Sequence, residues 1–180
     1  MGYTHYWKLK HSVDNEENII KACAEFKHLL EKLNIQLIYS SNRTQEPIIN
    51  SKQIIFDGIN SPDEACVEGF SIDFLNDVKK FNFCKTNRDY SESNAKYDKA
   101  VCLALVCLAN NIIDFHFTSD GDFSDWKEVF TIYETFFGQL KFLMSQLEVG
   151  GFSYAQPLMP GLDARVTENG QQYFVYKDTH

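Results

Sequence analysis

Ten consecutive apolar residues in the middle of the chain, AVCLALVCLA at 100–109, limit the possible folds more than any other feature. The run is much shorter than the roughly 20 residues that a membrane-spanning helix requires. Its length and composition predict a central helix that other elements cover on most sides. The rest of the chain must therefore supply the strands and helices that enclose it.

Strands are predicted where apolar residues alternate with polar ones. The opening segment YTHYWKL alternates over residues 3–9 and places Tyr3, His5, Trp7 and Leu9 on one face. A strand so close to the start of the chain must pair within a sheet, because an unpaired terminus frays. Further strands are predicted in IQLIYS, QIIFDG, EGFSIDFL, FNFC and IIDFHFT, the last with Ile113, Phe115 and Phe117 toward the core and His116 and Thr118 on the other face.

Two more helices are predicted, one on each side of the central helix in the sequence. Asp14 is expected to cap the first of them together with Glu17, and Asn34 is expected to end it. The longest helix is predicted over residues 124–147 and ends at Gly150-Gly151.

These elements predict a single α+β domain over residues 1–180. Helices are too few to cover every strand crossover, so the sheet is predicted to be mixed and largely antiparallel, with about three helices packed on one face. Asn169-Gly170 lies between two alternating runs and predicts a C-terminal β-hairpin with a two-residue type I′ turn.

Charge and cysteine content exclude several classes of protein. A net charge of -8, with a pI of about 5.1, argues against direct nucleic-acid binding, which needs a positive face for phosphates. Such a charge suits an ordinary soluble protein, one that docks on a basic partner, or a mimic of nucleic acid. The five cysteines never fall as C-x-x-C and predict reduced thiols in a cytoplasmic protein, without a zinc site. No apolar leader opens the chain, so neither secretion nor membrane insertion is expected.

Common catalytic motifs are absent from the sequence. It contains no P-loop, no dinucleotide-binding fingerprint, no H-E-x-x-H and no G-x-S-x-G. We therefore predict no catalytic residues and no cofactor, and a binding protein is favoured over an enzyme.

Two segments carry weak functional signals that simpler explanations match. HFT at 116–118 resembles one of the paired H-x-T/S signatures of a phosphoesterase fold, but no second copy is present and a solvated histidine explains it. Asp120, Asp122 and Asp125 in TSDGDFSDW echo the spacing of a calcium loop. Acidic residues at the start of a helix explain the same pattern, since they interact favourably with its dipole.

The segment FCKTNRDYSESNAKYDKA combines cations, a hydroxyl and a predicted helix start. Lys85, Thr86 and Arg88 lie just before a polar loop, and Tyr97 and Asp98 are expected to open the buried helix. Together these groups could receive an anion such as a phosphate. A Lys85–Asp98 salt bridge that pins the loop explains the same residues.

The aromatic row of the opening strand also has two interpretations. Tyr3, His5 and Trp7 could form a stacking surface for a base or another flat ligand. Such a row is more often part of the core, with the histidine hydrogen-bonded inside.

The opening MGYTHYW, followed in order by FCKT at 83–86, YDKAV at 97–101, SDGD at 119–122 and Trp126, resembles an uncharacterised family of small bacteriophage, prophage and bacterial proteins. The resemblance covers roughly residues 1–133, and the chain departs from it by the longer segment NRDYSESNAK. It implies a cytoplasmic protein of phage type. It also implies one cluster, which either binds a ligand or holds the fold together, formed by His5, Lys85, Thr86, Tyr97, Asp98, Ser119, Asp120 and Asp122.

Two functions from different classes follow. The first is a non-enzymatic accessory protein of phage or mobile-element type that binds a host or defence component, as a monomer or a homodimer, through an exposed apolar or acidic patch. The second is a protein that binds or processes a phosphate- or nucleotide-bearing small molecule in a pocket of His5, Lys85, Thr86 and Asp98. Neither hypothesis involves a metal or a membrane.

Overall fold

A computed structural model of the chain describes residues 2–39, 44–59, 67–121, 123–142, 144–147, 149, 162–166 and 172–176. Along them run β1 (Tyr3–Leu9), α1 (Glu16–Lys32), β2 (Leu37–Ile38), β3 (Ile48–Ile49), β4 (Gln53–Gly58), β5 (Phe70–Asp73), β6 (Phe81–Thr86), α2 (Glu92–Asn111), β7 (Phe115–Ser119), α3 (Phe123–Phe137), a short 3₁₀ helix (Met144–Leu147), β8 (Leu162–Val166) and β9 (Gln172–Tyr176). The predicted α+β class is confirmed.

The strands divide among separate antiparallel sheets rather than joining in one. One sheet has the order β6-β1-β7, so the opening strand is an inner strand with a partner on each side. In a second sheet β4 pairs with β2, β3 and β5. Because β1 and β4 each take several partners, each becomes the centre of its own sheet.

The apolar run lies in α2 and is covered as predicted. All ten residues from 100 to 109 are buried in the main hydrophobic cluster. α2 packs against α1, α3 and strands of both larger sheets. The run therefore forms the centre of the core.

Both ends of α2 differ in detail from the sequence prediction. The helix begins at Glu92, where the Ser91 side chain accepts a hydrogen bond from the Asn94 backbone N–H at 3.1 Å. Tyr97 and Asp98 therefore lie in the second turn and do not open the helix. After α2, Ile113 is 66% exposed in the turn before β7, so its prediction as a core residue was wrong. His116 lies on the opposite face of β7 from Phe117, as predicted, but it is buried, so it is not a solvated histidine.

Helix α1 is capped one residue later than predicted. The side chain of Asn15, not that of Asp14, accepts a hydrogen bond from the Glu17 backbone N–H at 3.0 Å. Asn34 adopts a φ of 51° just after the last turn, which confirms it as the residue that ends the helix.

Helix α3 is shorter than predicted because Gly138, with a φ of 85°, ends it after Phe137. The chain then turns back, and the Asn110 side chain accepts hydrogen bonds from the backbone N–H groups of Lys141 and Phe142. Gly150-Gly151, the predicted end of this helix, lies outside the described residues.

The C-terminal hairpin strands are antiparallel, as predicted. Their register pairs Val166 with Gln172, whereas a two-residue turn at Asn169-Gly170 would pair Val166 with Tyr173. The turn itself lies outside the described residues. Among the residues that are described, no helix combines the length and the apolar character needed to cross a bilayer.

Candidate functional site

One face of the sheet β6-β1-β7 carries a row of buried polar side chains. His5 lies opposite Cys84 on β6 and opposite Ser119 on β7, and Tyr3 lies opposite Thr86. Directly paired residues project from the same face of an antiparallel sheet, so all five side chains share it. Helix α2 supplies Asp98 to the same place, where it meets His5.

His5, Thr86 and Asp98 form a hydrogen-bonded group that we name the buried triad. His5 Nε2 lies 2.8 Å from Asp98 Oδ1 and 3.2 Å from Thr86 Oγ1, and the Thr86 hydroxyl donates to Asp98 Oδ1 at 2.5 Å. His5 and Thr86 are fully buried and Asp98 is 6% exposed. Burial raises the pKa of Asp98, but the contacts with His5 and Thr86 and the charge of Arg88 outweigh it and lower the pKa below its ordinary value. The triad therefore holds a buried carboxylate in its charged form.

Arg88 supplies the positive charge at the outer side of the triad. Its Nε lies 3.4 Å from Asp98 Oδ2, and its Nη1 donates to Asp125 Oδ1 at 3.1 Å. The guanidinium carbon lies 3.7 Å from the centre of the Tyr3 ring, in a cation–π contact. Burial lowers the pKa of Arg88, but the negative charges of Asp98 and Asp125 raise it by a larger amount, so the pKa lies above its ordinary value. The guanidinium is thus shared between two carboxylates.

Lys85 does not join the cluster that the sequence predicted for it. It pairs with Thr4 across the β1–β6 ladder and is exposed, while its neighbours Cys84 and Thr86 are buried on the opposite face. Strand alternation makes this unavoidable, because successive side chains point to opposite faces. Both predicted roles of Lys85, in an anion site and in a salt bridge with Asp98, are therefore corrected: Arg88 is the cation beside Asp98.

The other predicted residues lie nearby with separate partners. Trp7 is 1% exposed and stacks on Phe70 with ring centres 4.5 Å apart, so it belongs to the core and not to an open stacking surface. The Tyr97 hydroxyl donates to the Glu68 carbonyl. Ser119 Oγ accepts from the Gly121 N–H at 3.0 Å.

Of the two remaining predicted residues, Asp120 is exposed. Its carboxylate accepts from the Thr4 N–H at 3.3 Å, which ties the end of β7 to the start of β1. Asp122 lies outside the described residues.

Cys102 is a neighbour of the triad that the sequence analysis did not select. Its Sγ lies 4.0 Å from His5 Nε2, and the donor atoms of His5, Asp98 and Cys102 all lie within 4.8 Å of one another. Burial raises the pKa of both Cys102 and Cys84 well above the ordinary value, so neither thiol is an activated nucleophile. The signal that could have identified Cys102 is its spacing of four residues from Asp98, which places both on one helix face.

We expect Arg88→Ala to lower the free energy of unfolding by about 1–3 kcal/mol, because it leaves the carboxylates of Asp98 and Asp125 without their cation. Lys85→Ala is the matched control and should change it by less than about 0.5 kcal/mol, since Lys85 is exposed. Urea unfolding of the two variants provides the comparison. A larger effect from Lys85→Ala than from Arg88→Ala would contradict this assignment of the cation.

No protein-family model, no curated protein and no solved structure matches this chain. Its function therefore has to be argued from its own geometry.

Proposed function

We propose that this protein is a non-enzymatic accessory protein of phage or mobile-element type, which acts in the cytoplasm by binding a protein of the host or of a defence system. The phage-type setting rests on the resemblance of its opening strand and following motifs to small phage proteins. The non-enzymatic character rests on the buried triad, whose side chains are occupied by one another. Buried and mutually paired groups are typical of structural networks, not of a site open to substrate.

The phosphate-binding alternative receives less support. An anion entering beside the triad would meet the carboxylates of Asp98 and Asp125, and both already share the guanidinium of Arg88. Lys85, the second cation of the hypothesis, lies on the opposite face of the sheet. An anionic ligand would therefore have to break two ion pairs before it gained one.

The observation that carries the binding proposal is an apolar groove of about 610 Å³ beside the start of α1. Val13 and Ile19 contribute to one wall, and Phe74 and Leu75, from the turn after β5, contribute to the other. Leu75 is 82% exposed. An exposed leucine next to an apolar groove is typical of a surface that a partner covers.

The charge around this groove indicates the chemistry of the partner. Glu16 and Asp73 contribute carboxylates to the lining, against the single ammonium group of Lys52. The whole chain carries a net charge of -8. The groove thus fits a protein that presents an apolar side chain within a basic surface.

Native mass spectrometry of the tagged protein, purified from host cells, tests the proposal. We expect a stoichiometric complex with one host protein, and we expect Leu75→Asp to weaken it by about 10-fold or more, because the substitution places a charge where the apolar anchor binds. Tyr90→Asp is the matched control, because Tyr90 is also exposed (68%) but lies far from the groove. Tyr90 follows the end of β6 that pairs with Tyr3, whereas Leu75 precedes the other end of β6, near Leu9.

Two results would overturn the proposal. A complex that both variants weaken equally, or neither weakens, would mean that the groove is not the binding surface. A bound small molecule released on denaturation, without a protein partner, would favour the phosphate- or nucleotide-binding alternative.

A further inference from the structure

We propose that His5, Asp98 and Cys102 bind one divalent metal ion of the zinc class, with the Thr86 hydroxyl beside them. The ring nitrogen, carboxylate oxygen and sulfur lie within 4.8 Å of one another and are buried. Nitrogen, sulfur and oxygen donors in this combination are the ligands that zinc takes in proteins. The proposal is independent of the groove at Leu75 and of any partner that binds there.

Several polar atoms converge on one ring nitrogen of His5. His5 Nε2 has Asp98 Oδ1 at 2.8 Å, Thr86 Oγ1 at 3.2 Å and Cys102 Sγ at 4.0 Å. A single imidazole nitrogen carries either one proton or one lone pair, so it makes one good hydrogen bond. One hydrogen bond requires one partner atom, whereas His5 Nε2 has three nearby: a carboxylate oxygen, a hydroxyl oxygen and a sulfur. Such a group of atoms matches the surroundings of a metal ion.

Regular secondary structure holds these atoms in place. Asp98 and Cys102 are four residues apart on α2 and therefore lie on the same face, one turn apart. His5 is held in the central strand, between Cys84 and Ser119 of its neighbours. The ligands thus come from two elements at the centre of the fold, which positions them before a metal binds.

The distances require only small adjustments. Ligands of a tetrahedral zinc ion lie about 2.0–2.3 Å from the metal, which places neighbouring ligand atoms about 3.3–3.7 Å apart. The His5–Asp98 separation must therefore open from 2.8 Å, and the His5–Cys102 separation must close from 4.0 Å.

The charges around the site suit a cation. The carboxylates of Asp98 and Asp125 face one guanidinium, that of Arg88. A divalent ion bound together with the Cys102 thiolate would neutralise the group. Burial of an uncompensated charge is unfavourable, so this neutralisation stabilises the bound form.

Metal binding requires defined proton positions. In the bound form, the His5 ring carries its proton on Nδ1 and offers the Nε2 lone pair to the metal. The Cys102 thiol loses its proton to solvent and binds as a thiolate, and Asp98 binds as the carboxylate that it already is. The thiol proton is therefore the one that leaves when the ion binds.

Metal analysis and cobalt titration of the purified wild-type protein test this site. We expect close to one equivalent of zinc per chain by inductively coupled plasma mass spectrometry. After removal of zinc with a chelator, Co²⁺ should give the visible bands of tetrahedral cobalt and a near-ultraviolet sulfur-to-cobalt charge-transfer band. A wild-type protein that is folded by circular dichroism, yet contains no stoichiometric metal and gives no such spectrum, would overturn the proposal.

Cys102→Ala identifies the sulfur ligand, and Cys107→Ala is its matched control on the same buried helix. Both substitutions remove one buried sulfur, so their effects on stability should be similar. We expect Cys102→Ala to abolish the charge-transfer band and weaken Co²⁺ binding by about 100-fold, and Cys107→Ala to leave both unchanged. A band that survives Cys102→Ala would show that another thiol binds the cobalt and would reject this site.

Discussion

Asp98→Ala is expected to lower the free energy of unfolding by about 3–5 kcal/mol, because it removes the acceptor on which three buried or half-buried groups depend. Asp98 accepts from Thr86 and His5 through Oδ1 and pairs with Arg88 through Oδ2. Without it, a guanidinium and two polar side chains remain with poor solvation. Urea unfolding at neutral pH measures the change.

Asp89→Ala is the matched control, because Asp89 is an exposed aspartate in the loop between β6 and α2. It should change the free energy of unfolding by less than about 0.5 kcal/mol. Equal effects of the two substitutions would show that the triad contributes no more to stability than an exposed carboxylate.

The pH dependence of stability provides a second measurement on the same variant. The pKa of Asp98 is lower in the folded chain than its ordinary value, so the contribution of this carboxylate is complete above the unfolded pKa of about 3.9. It is lost as the pH falls from there through the folded pKa, because the unfolded state takes up the proton first. Wild-type stability should therefore fall more steeply with acidification than that of Asp98→Ala. Parallel curves for the two proteins would contradict the lowered pKa.

Trp126→Ala is expected to lower the free energy of unfolding by about 3–5 kcal/mol, through the cavity that it leaves. Trp126 is fully buried on α3, with its ring centre 5.6 Å from that of His5 and 5.3 Å from that of Phe117. The indole therefore forms a wall of the triad as well as part of the core. Differential scanning calorimetry and urea unfolding both report the loss.

Lys127→Ala provides the control on the same helix, since Lys127 is exposed. The free energy of unfolding of the Lys127→Ala variant should stay within about 0.5 kcal/mol of the wild-type value. If Trp126→Ala were equally mild, the packing of α3 against the sheet described above would be wrong.

The alternation of the opening segment and the apolar run were enough to predict β1 and α2, because each pattern is set by burial. The resemblance to small phage proteins placed His5, Thr86 and Asp98 in one hypothesis, and these three do meet. Alternation also predicts the position of Lys85: if the Thr86 side chain is on the buried face of β6, the Lys85 side chain must be on the opposite face. The position of Arg88 could not be read this way, because it follows the end of β6 and its direction depends on contacts with Tyr3 and Asp125.

Helix ends were predicted less well than helix centres, for a physical reason. The first two turns of α2 are rich in polar residues, so hydrophobic periodicity is absent there, and the cap at Ser91 is the main sign of the start. The end of α3 depends on the left-handed Gly138, yet apolar residues continue beyond it as part of the core. Periodicity reports burial, and burial does not stop where a helix stops.

The central position of β1 has a consequence for the order in which the chain folds. His5 meets Thr86 across 81 residues and Asp98 across 93 residues, and the Thr4–Asp120 contact spans 116 residues. On the ribosome, the first strand to be made is thus among the last to find both partners. Pairings of such long range slow folding and leave strand edges open to other chains in the interval. Synthesis of this protein should therefore depend on chaperones more than that of a chain of equal length with local pairings.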